Sequence, residues 1–314
     1  MTLKILIEIP TWVGDCVMIT PSIRNIIKTF KKVDITIIGS AQSLPILEDI
    51  PEVSKTIVLN KNFLEDFFVF KGLKEYDYFF SYRSSLRTRI LKLFIDANYK
   101  YQFDKRKYFL GHQVEKYNNF INDALSTNNI PSKLFLYSSG VSKILSNSLK
   151  IGINPGAAYG SAKMWTIRGF SELIKELSKE YTIVIFGAGS NIFNSRKILK
   201  GIDNKNIIDL TGKTTIKDLV LEISKLDIFI TGDSGPMHIA AAFNIPTISL
   251  FGPTKFKETS QWKNKHSVLI SKDLDCQPCM KRECPLGHHN CMKLIESREV
   301  IDCAKKLIRE IQVD

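Results

Sequence analysis

No apolar run in the 314-residue chain approaches the roughly 18–20 residues that a membrane-spanning helix needs, so a spanning segment is excluded. The opening "MTLKILIEIPTWVGD" has a short apolar stretch and no small-residue cleavage site, so it is expected to be a first strand of a cytosolic protein, not a secretory leader. Gly-x-Gly-x-x-Gly is missing; "FGAGSN" (186–191) offers only Gly187 and Gly189, which disfavours a nicotinamide dehydrogenase. A Walker-type Gly-Lys-Ser/Thr loop is missing too, as are short repeats, heptads and low-complexity tracts. Cysteine is scarce and crowded: four of the six lie within 276–291, which is not a dispersed disulfide framework.

What is present is enough apolar residue, 44%, to build a core without staples, over a length that suits two ordinary domains or one large one. The net charge of +12 suggests an anionic partner: nucleic acid, a membrane surface or a phosphorylated substrate. The alternative is a Lys-rich solvated surface. Residues 55–116 hold 13 Lys/Arg against 7 Asp/Glu, half of the total surplus.

Short β-rich runs alternate with helical patterns. In the first half the strands are "KILIEI" (4–9), "DITIIG" (34–39), "KTIVLN" (55–60) and "YDYFFSY" (76–82), with helices at 21–32 and 86–97. In the second half they begin at Lys150, Thr182, Asn206, Asp227, Thr247 and Ser267, with helices over 168–180, 216–226 and 235–243. This alternation predicts βαβ units and parallel sheets. Several strands are continuously apolar, as when both faces are covered. The polar stretch "STNNIPSK" (126–133) and the segment to about 148 read as a joint between two α/β domains, 1–148 and 149–296. Residues 297–314 form an amphipathic helix with one stripe of Val300, Ile301, Ala304, Leu307, Ile308 and Ile311, able to pack on either domain.

Ligands on open parallel sheets bind beyond the carboxyl ends of the strands, so strand-to-helix loops are the places to search. In "ITGDSGPMHIAAAF" (230–243) an apolar strand ends at Gly232, Ser234 precedes a helix, and Pro236 suits its first turn. The helix N–H groups at Ser234 and Gly235 favour a phosphate, Asp233 suits sugar hydroxyls, and His238 is placed to donate to either. The alternative reading is that Asp233 or Ser234 is only a helix cap. In "IPTWVGDCVMITPSI" (9–23) Asp15 is a candidate general base, expected to face Asp233 across an interdomain cleft, or else a cap. In "INPGAAYGSAKMWTIRGF" (153–170) small residues allow close backbone approach, Lys163 can neutralise a diphosphate, and Trp165 is expected to pack. Arg83 and Arg87, just past the fourth strand, suit a carboxylate or phosphate.

Together "PTWVGDCVMITPSI" (10–23), "NPGAAYGSAKMW" (154–165) and "TGDSGPMHIAAAFNIPTISLFGPT" (231–254) resemble the ADP-heptose:LPS heptosyltransferase family, glycosyltransferase family 9, of the heptosyltransferase II type. "YDYFFSYRSSLRTRILKL" (76–93) and "HQVEKYNNFI" (112–121) add to a resemblance that covers nearly the whole chain. It implies a GT-B fold: two Rossmann-like domains with parallel sheets facing across a cleft, acceptor on the first and nucleotide sugar on the second. It implies Asp15 as catalytic base, Lys163 on the donor phosphates, Asp233 on the heptose, and Ser234, Gly235 and His238 around the diphosphate. It places adenosine near Gly187, Thr211 and Gly212, although "GAGSNIFN" lacks the acid expected for ribose.

The implied reaction is inverting transfer of L-glycero-D-manno-heptose from ADP-heptose to heptosyl-Kdo2-lipid A of the lipopolysaccharide inner core. It is metal-independent and occurs at the cytoplasmic face of the inner membrane, with peripheral attachment and no nucleic-acid partner. Arg83, Arg87 and the basic segment would meet the anionic acceptor or leaflet. The alternatives are heptosyltransferase I acting on Kdo2-lipid A, a GT-B sugar-nucleotide epimerase, and a non-enzymatic basic α/β module binding anions or membrane. No cofactor is expected for catalysis. Asp273 and Asp275 in "KDLD" form the Asp-x-Asp pattern of metal-dependent transferases, a spacing that also arises by chance. Cys276, Cys279, Cys284 and Cys291 fit a structural zinc, disulfides formed on oxidation, or reduced thiols in a packed loop.

Overall fold

The computed structural model describes residues 2–60, 62–138 and 148–313. It separates into two compact units, Met1–Ser139 and Gly140–Asp314. Much of the predicted joint, residues 139–147, lies outside the described residues.

Unit one carries β1 (Leu3–Glu8), β2 (Val33–Gly39), β3 (Val53–Val58), β4 (Tyr76–Ser81) and β5 (Ala97–Gln102). Its helices are α1 (Val13–Met18), α2 (Thr20–Phe30), α3 (Phe63–Gly72), α4 (Leu86–Leu91) and α5 (Gln113–Leu125). The strands form one sheet in the order β3-β2-β1-β4-β5, every pairing parallel. The sequence predicts four of these strands and misses β5. The helix predicted over 86–97 stops at Leu91, passes through a 3₁₀ turn at Lys92–Phe94, and gives way to β5 at Ala97. β5 is an edge strand with no buried residue, so it lacks the continuous apolar run that marks the central strands.

Unit two carries β6 (Lys150–Asn154), β7 (Thr182–Ile185), β8 (Ile207–Asp209), β9 (Ile228–Gly232), β10 (Thr247–Phe251) and β11 (Ser267–Ser271). Its helices are α6 (Ile167–Leu177), α7 (Ile192–Leu199), α8 (Ile216–Ser224), α9 (Gly235–Ala242), α10 (Phe256–Thr259), α11 (Asn290–Lys293) and α12 (Ser297–Val313). The sheet order is β11-β10-β9-β6-β7-β8, again wholly parallel. β9 and β10 are buried along their whole length because helices cover both faces. At Gly152 an added Cβ would stand 2.3 Å from Leu226 Cδ1, so only glycine lets the chain after α8 close on β6.

Local chemistry sets the helix ends. Thr166 accepts a bond from Gly169 N and starts α6. Phe170, Leu173, Ile174 and Leu177 then recur on one face and bury in the second core. Thr215 and Asp218 form a capping box on α8. The predicted stripe of α12 buries Val300, Ala304, Leu307 and Ile308 in unit two, with Val300, Leu307 and Ile308 each contributing about 1.5–3 kcal/mol. Lys305 Nζ meets Glu176 Oε1 of α6 at 2.6 Å, which fixes α12 to that helix.

Candidate functional site

In each sheet the first strand of the unit lies between two strands whose connections run in opposite directions. These switch points are β1/β4 in unit one and β6/β9 in unit two. Loops leaving the carboxyl ends of such a strand pair diverge and open a crevice, the usual ligand position in open α/β sheets. Asp15, Arg83, Lys163 and Asp233 follow those strands, whereas Gly187, Thr211 and Gly212 follow β7 and β8 and the four cysteines follow β11.

In unit two, Lys163 follows β6 and Asp233 follows β9. Their side chains form an ion pair, Lys163 Nζ to Asp233 Oδ2 at 2.6 Å, with 14% and 8% of each exposed. Thr254 Oγ1 donates to the same carboxylate oxygen at 2.6 Å. Lys163 also lies 4.8 Å above the Tyr159 ring. Asp233 is therefore not a helix cap. Ser234 is the N-cap residue of α9, but its side chain makes no capping bond. Its hydroxyl instead receives Asn154 Nδ2 at 3.2 Å and pairs with Thr231 Oγ1 at 2.9 Å. The first N–H groups of α9 around Gly235 thus stand without a side-chain cap, and an anion suits them. His238, in the first turn, is buried. Trp165 packs as expected, edge-on to Phe170 and bonded from Nε1 to Ile295 O at 2.9 Å.

The loops after β7 and β8 join each other beside this site. Gly212 N donates to Gly187 O at 2.8 Å, and Thr211 is buried with its amide on Asp209 Oδ1 at 2.9 Å. Gly212 has φ +72°, a conformation that favours glycine. Asp209, at the end of β8, is the acid nearest this pair of loops in sequence, and it is bonded by Ser195 Oγ at 3.1 Å.

In unit one, Asp15 sits at the third position of α1. The cap is Trp12, so the capping alternative for Asp15 is corrected. Tyr117 Oη, on α5, donates to Asp15 Oδ1 at 2.9 Å. Burial, then the adjacent Asp15 charge, pushes the Tyr117 hydroxyl well above its ordinary value, so it stays a proton donor. Burial likewise keeps the neighbouring Cys16 thiol protonated.

Arg83 and Arg87 flank the end of β4 with partners of their own. Arg83 Nη1 lies 3.5 Å from Glu8 Oε1, and Arg87 forms an ion pair with Asp66 of α3. Arg87 Nη2 also donates to Asn62 O at 2.8 Å, so this guanidinium ties α4 to α3. Glu8 is a buried acid bonded by Ser81 Oγ at 2.6 Å and Thr88 Oγ1 at 3.1 Å. Burial pushes its carboxyl up despite the lowering effects of Ser81, Arg83 and Thr88.

The sequence reading missed Glu8, Tyr117 and Thr254. Glu8 had a signal, a lone acid in an apolar strand. Tyr117 and Thr254 had none beyond lying in quoted segments, because their partners are 102 and 21 residues away in sequence.

The cysteine-rich segment lies against the Lys163 loop. Ala162 N donates to Arg282 O at 3.0 Å, His289 Nε2 bonds Ala162 O at 2.9 Å, and Tyr159 Oη donates to Met280 O at 2.8 Å. Cys276, Cys279, Cys284 and Cys291 line a cavity of about 20 Å³ with His288 and His289, and all four are free thiols. Among the described residues no three or more His, Cys, Asp or Glu side chains are grouped closely enough to hold a metal ion in this arrangement. Asp273 and Asp275 are exposed on the loop after β11.

A profile of glycosyltransferase family 9 (heptosyltransferase) matches residues 98–290. Lipooligosaccharide heptosyltransferase 2 of Campylobacter jejuni is 39% identical over 98% of this chain and 99% of its own length. Lipopolysaccharide heptosyltransferase 2 of Escherichia coli is 26% identical over 85% of this chain and 88% of its own. Among solved structures, Escherichia coli ADP-heptose LPS heptosyltransferase II superposes with a TM-score of 0.81 at 24% identity, covering 99% of this chain and all of that one. The pair of Rossmann-like units is the GT-B fold. With a family profile over most of its length and a close relative spanning nearly all of it, the chain belongs to glycosyltransferase family 9, the heptosyltransferases.

Proposed function

We propose that this chain transfers L-glycero-D-manno-heptose from ADP-heptose to heptosyl-Kdo2-lipid A in the lipopolysaccharide inner core, inverting the anomeric centre. The observation that carries the reading is the Lys163–Asp233 ion pair at the β6/β9 switch point, beside the uncapped N-terminus of α9. A cation and a row of N–H groups suit a diphosphate. A carboxylate suits sugar hydroxyls. A nucleotide sugar presents both, joined by the bond that breaks. The heptosyltransferase 2 relatives and the ADP-heptose enzyme of like fold favour this donor and acceptor.

On donor binding, Lys163 turns from Asp233 to the phosphates, and Asp233 accepts from heptose hydroxyls while Thr254 holds its second contact. Adenosine lies by Gly187, Thr211 and Gly212. Asp15, oriented by Tyr117, takes the proton of the acceptor hydroxyl. The acceptor oxygen bonds to the anomeric carbon as the bond to the β-phosphate oxygen breaks. ADP leaves with the electron pair, its growing charge met by Lys163 and the α9 amides. One displacement gives inversion. Arg83 receives anionic groups of the acceptor, and catalysis draws its positive charge from these protein groups.

The test is ADP release with ADP-heptose and heptosyl-Kdo2-lipid A supplied singly and together. Release is expected only with both, and Asp15→Ala abolishes it while ADP still binds. Release without acceptor would point to hydrolytic or epimerase chemistry. Transfer to Kdo2-lipid A but not to its heptosylated form would reassign the acceptor.

A further inference from the structure

α3 and α4 pair on the surface of unit one, and each is apolar on both sides. Their inner sides bury Phe70 and Leu91 in the core, with Ile95 just beyond the 3₁₀ turn. Their outer sides expose Leu64 and Phe68, four residues apart on α3, and Leu86 and Ile90 on α4, followed by Leu93 and Phe94 in the turn. Leu64, Phe68, Leu86 and Leu93 are 67–69% exposed, an extent that solvent does not favour for so many large side chains together. The two helices are joined: Phe67 of α3 packs against Phe94 of the turn after α4 with ring centroids 4.8 Å apart, and Arg87 joins Asp66 and Asn62 O.

The charge around this face is mixed on α3, where Glu65 is exposed and Asp66 pairs with Arg87, and strongly positive from α4 onward. Ser81–Leu110 contains eight Lys/Arg and two Asp/Glu, and one of those acids, Asp104, is paired with Arg106 at 3.0 Å. Arg89 and Lys92 lie within the apolar stretch itself, and Lys100 is near enough that it and Arg89, after partial burial, lower the Lys92 ammonium. Large apolar groups with a cluster of cations on one side match an anionic bilayer interface, where the side chains enter the acyl boundary and the cations meet headgroups. The acids of α3 are outnumbered by these cations and Asp66 is neutralised by Arg87, so the face keeps a positive surplus that suits anionic headgroups.

We propose that the α3–α4 face of unit one, with Leu64, Phe68, Leu86, Ile90, Leu93 and Phe94 flanked by Arg89, Lys92 and Lys100, docks on anionic lipid bilayers. The proposal rests on these helices and not on the heptosyl-transfer reading, and it is tested without any sugar donor. The full chain is sedimented with vesicles of phosphatidylcholine alone or mixed with phosphatidylglycerol. Binding to the mixed vesicles is expected to exceed binding to the neutral ones and to weaken with salt. Arg89→Ala with Lys92→Ala should weaken it roughly 25-fold, about fivefold per cation. Leu86→Ser with Leu93→Ser should weaken it roughly 100-fold, about tenfold for each apolar side chain. Leu86, Leu93 and Arg89 are exposed and Lys92 is half-buried, so the melting temperature should change little. Equal binding to both vesicle types, or none to either, overturns the proposal, as do variants that bind like the parent. A change of oligomeric mass in the Leu86/Leu93 variant with vesicle binding intact would show instead that the face joins protein to protein. Should that variant not fold, the cation variant and the salt dependence decide alone.

Discussion

Lys163→Met keeps the length of the side chain and removes its charge, leaving Asp233 nearly buried opposite an apolar stem. Breaking one side of a buried ion pair costs about 3–5 kcal/mol. Thr254 still donates to Asp233 at 2.6 Å, and the pair is not wholly enclosed, so about 2–3 kcal/mol is the better expectation. For a unit of this size that corresponds to a fall in Tm of about 4–12 °C. Lys163→Met with Asp233→Asn removes the stranded charge and should recover most of that loss, the signature of coupling in a double-mutant cycle. Activity should not follow stability. Both variants lack the cation for the leaving phosphate, so kcat should fall by about 10²–10³ in each. Calorimetry and an ADP-release assay on the same preparations measure the two effects. A single variant as stable as the parent, or a double variant no more stable than the single, would refute the buried-pair reasoning. Unchanged kcat in both would refute the donor-site reasoning.

Tyr117→Phe removes a hydroxyl from Asp15 and should lower kcat about tenfold to a hundredfold, with KM for ADP-heptose unchanged in steady-state assays. Glu8 has a carboxyl raised by burial, so between the unfolded value near 4.5 and its raised folded value the native state holds more protons than the unfolded one. Its contribution is present below the unfolded value and is lost as pH rises through the folded one. Glu8→Gln should remove that falling slope when urea unfolding is compared across acidic and neutral pH. The Cys284 thiol is lowered chiefly by the His289 N–H at 3.3 Å, whereas burial raises Cys291 and Cys303. Mass spectrometry after brief iodoacetamide treatment at neutral pH should therefore find Cys284 modified before those two.

The two parallel sheets were legible because their central strands, such as β1, β6, β9 and β10, are largely buried and read as apolar runs. β5 was hidden because an edge strand with a mixed pattern, "ANYKYQ", carries little of that signal, and the helical period before it ran on without a break. The site loops were legible from their glycines and small residues: Gly232 and Gly160 stand where an added Cβ would meet Lys163 O at 3.0 Å and Arg282 O at 2.3 Å. Contacts made across the fold were not. Lys163 and Asp233 were assigned separate ligand contacts, and their pairing follows only from the adjacency of β6 and β9. Arg87 was read as a receptor for the acceptor, and the structure engages it with Asp66, an acid 21 residues earlier that helix spacing alone does not connect to it. The four cysteines were read as a set by spacing; their segment proves to brace the Lys163 loop through one backbone pair and the side chains of Tyr159 and His289, whose partners spacing does not announce.

A crystal structure with ADP bound tests the central claim most directly. The diphosphate is expected within hydrogen-bonding distance of Lys163 Nζ and the first amides of α9, with Lys163 drawn away from Asp233. ADP bound elsewhere on the chain, or in place with the Lys163–Asp233 pair still closed, would contradict it.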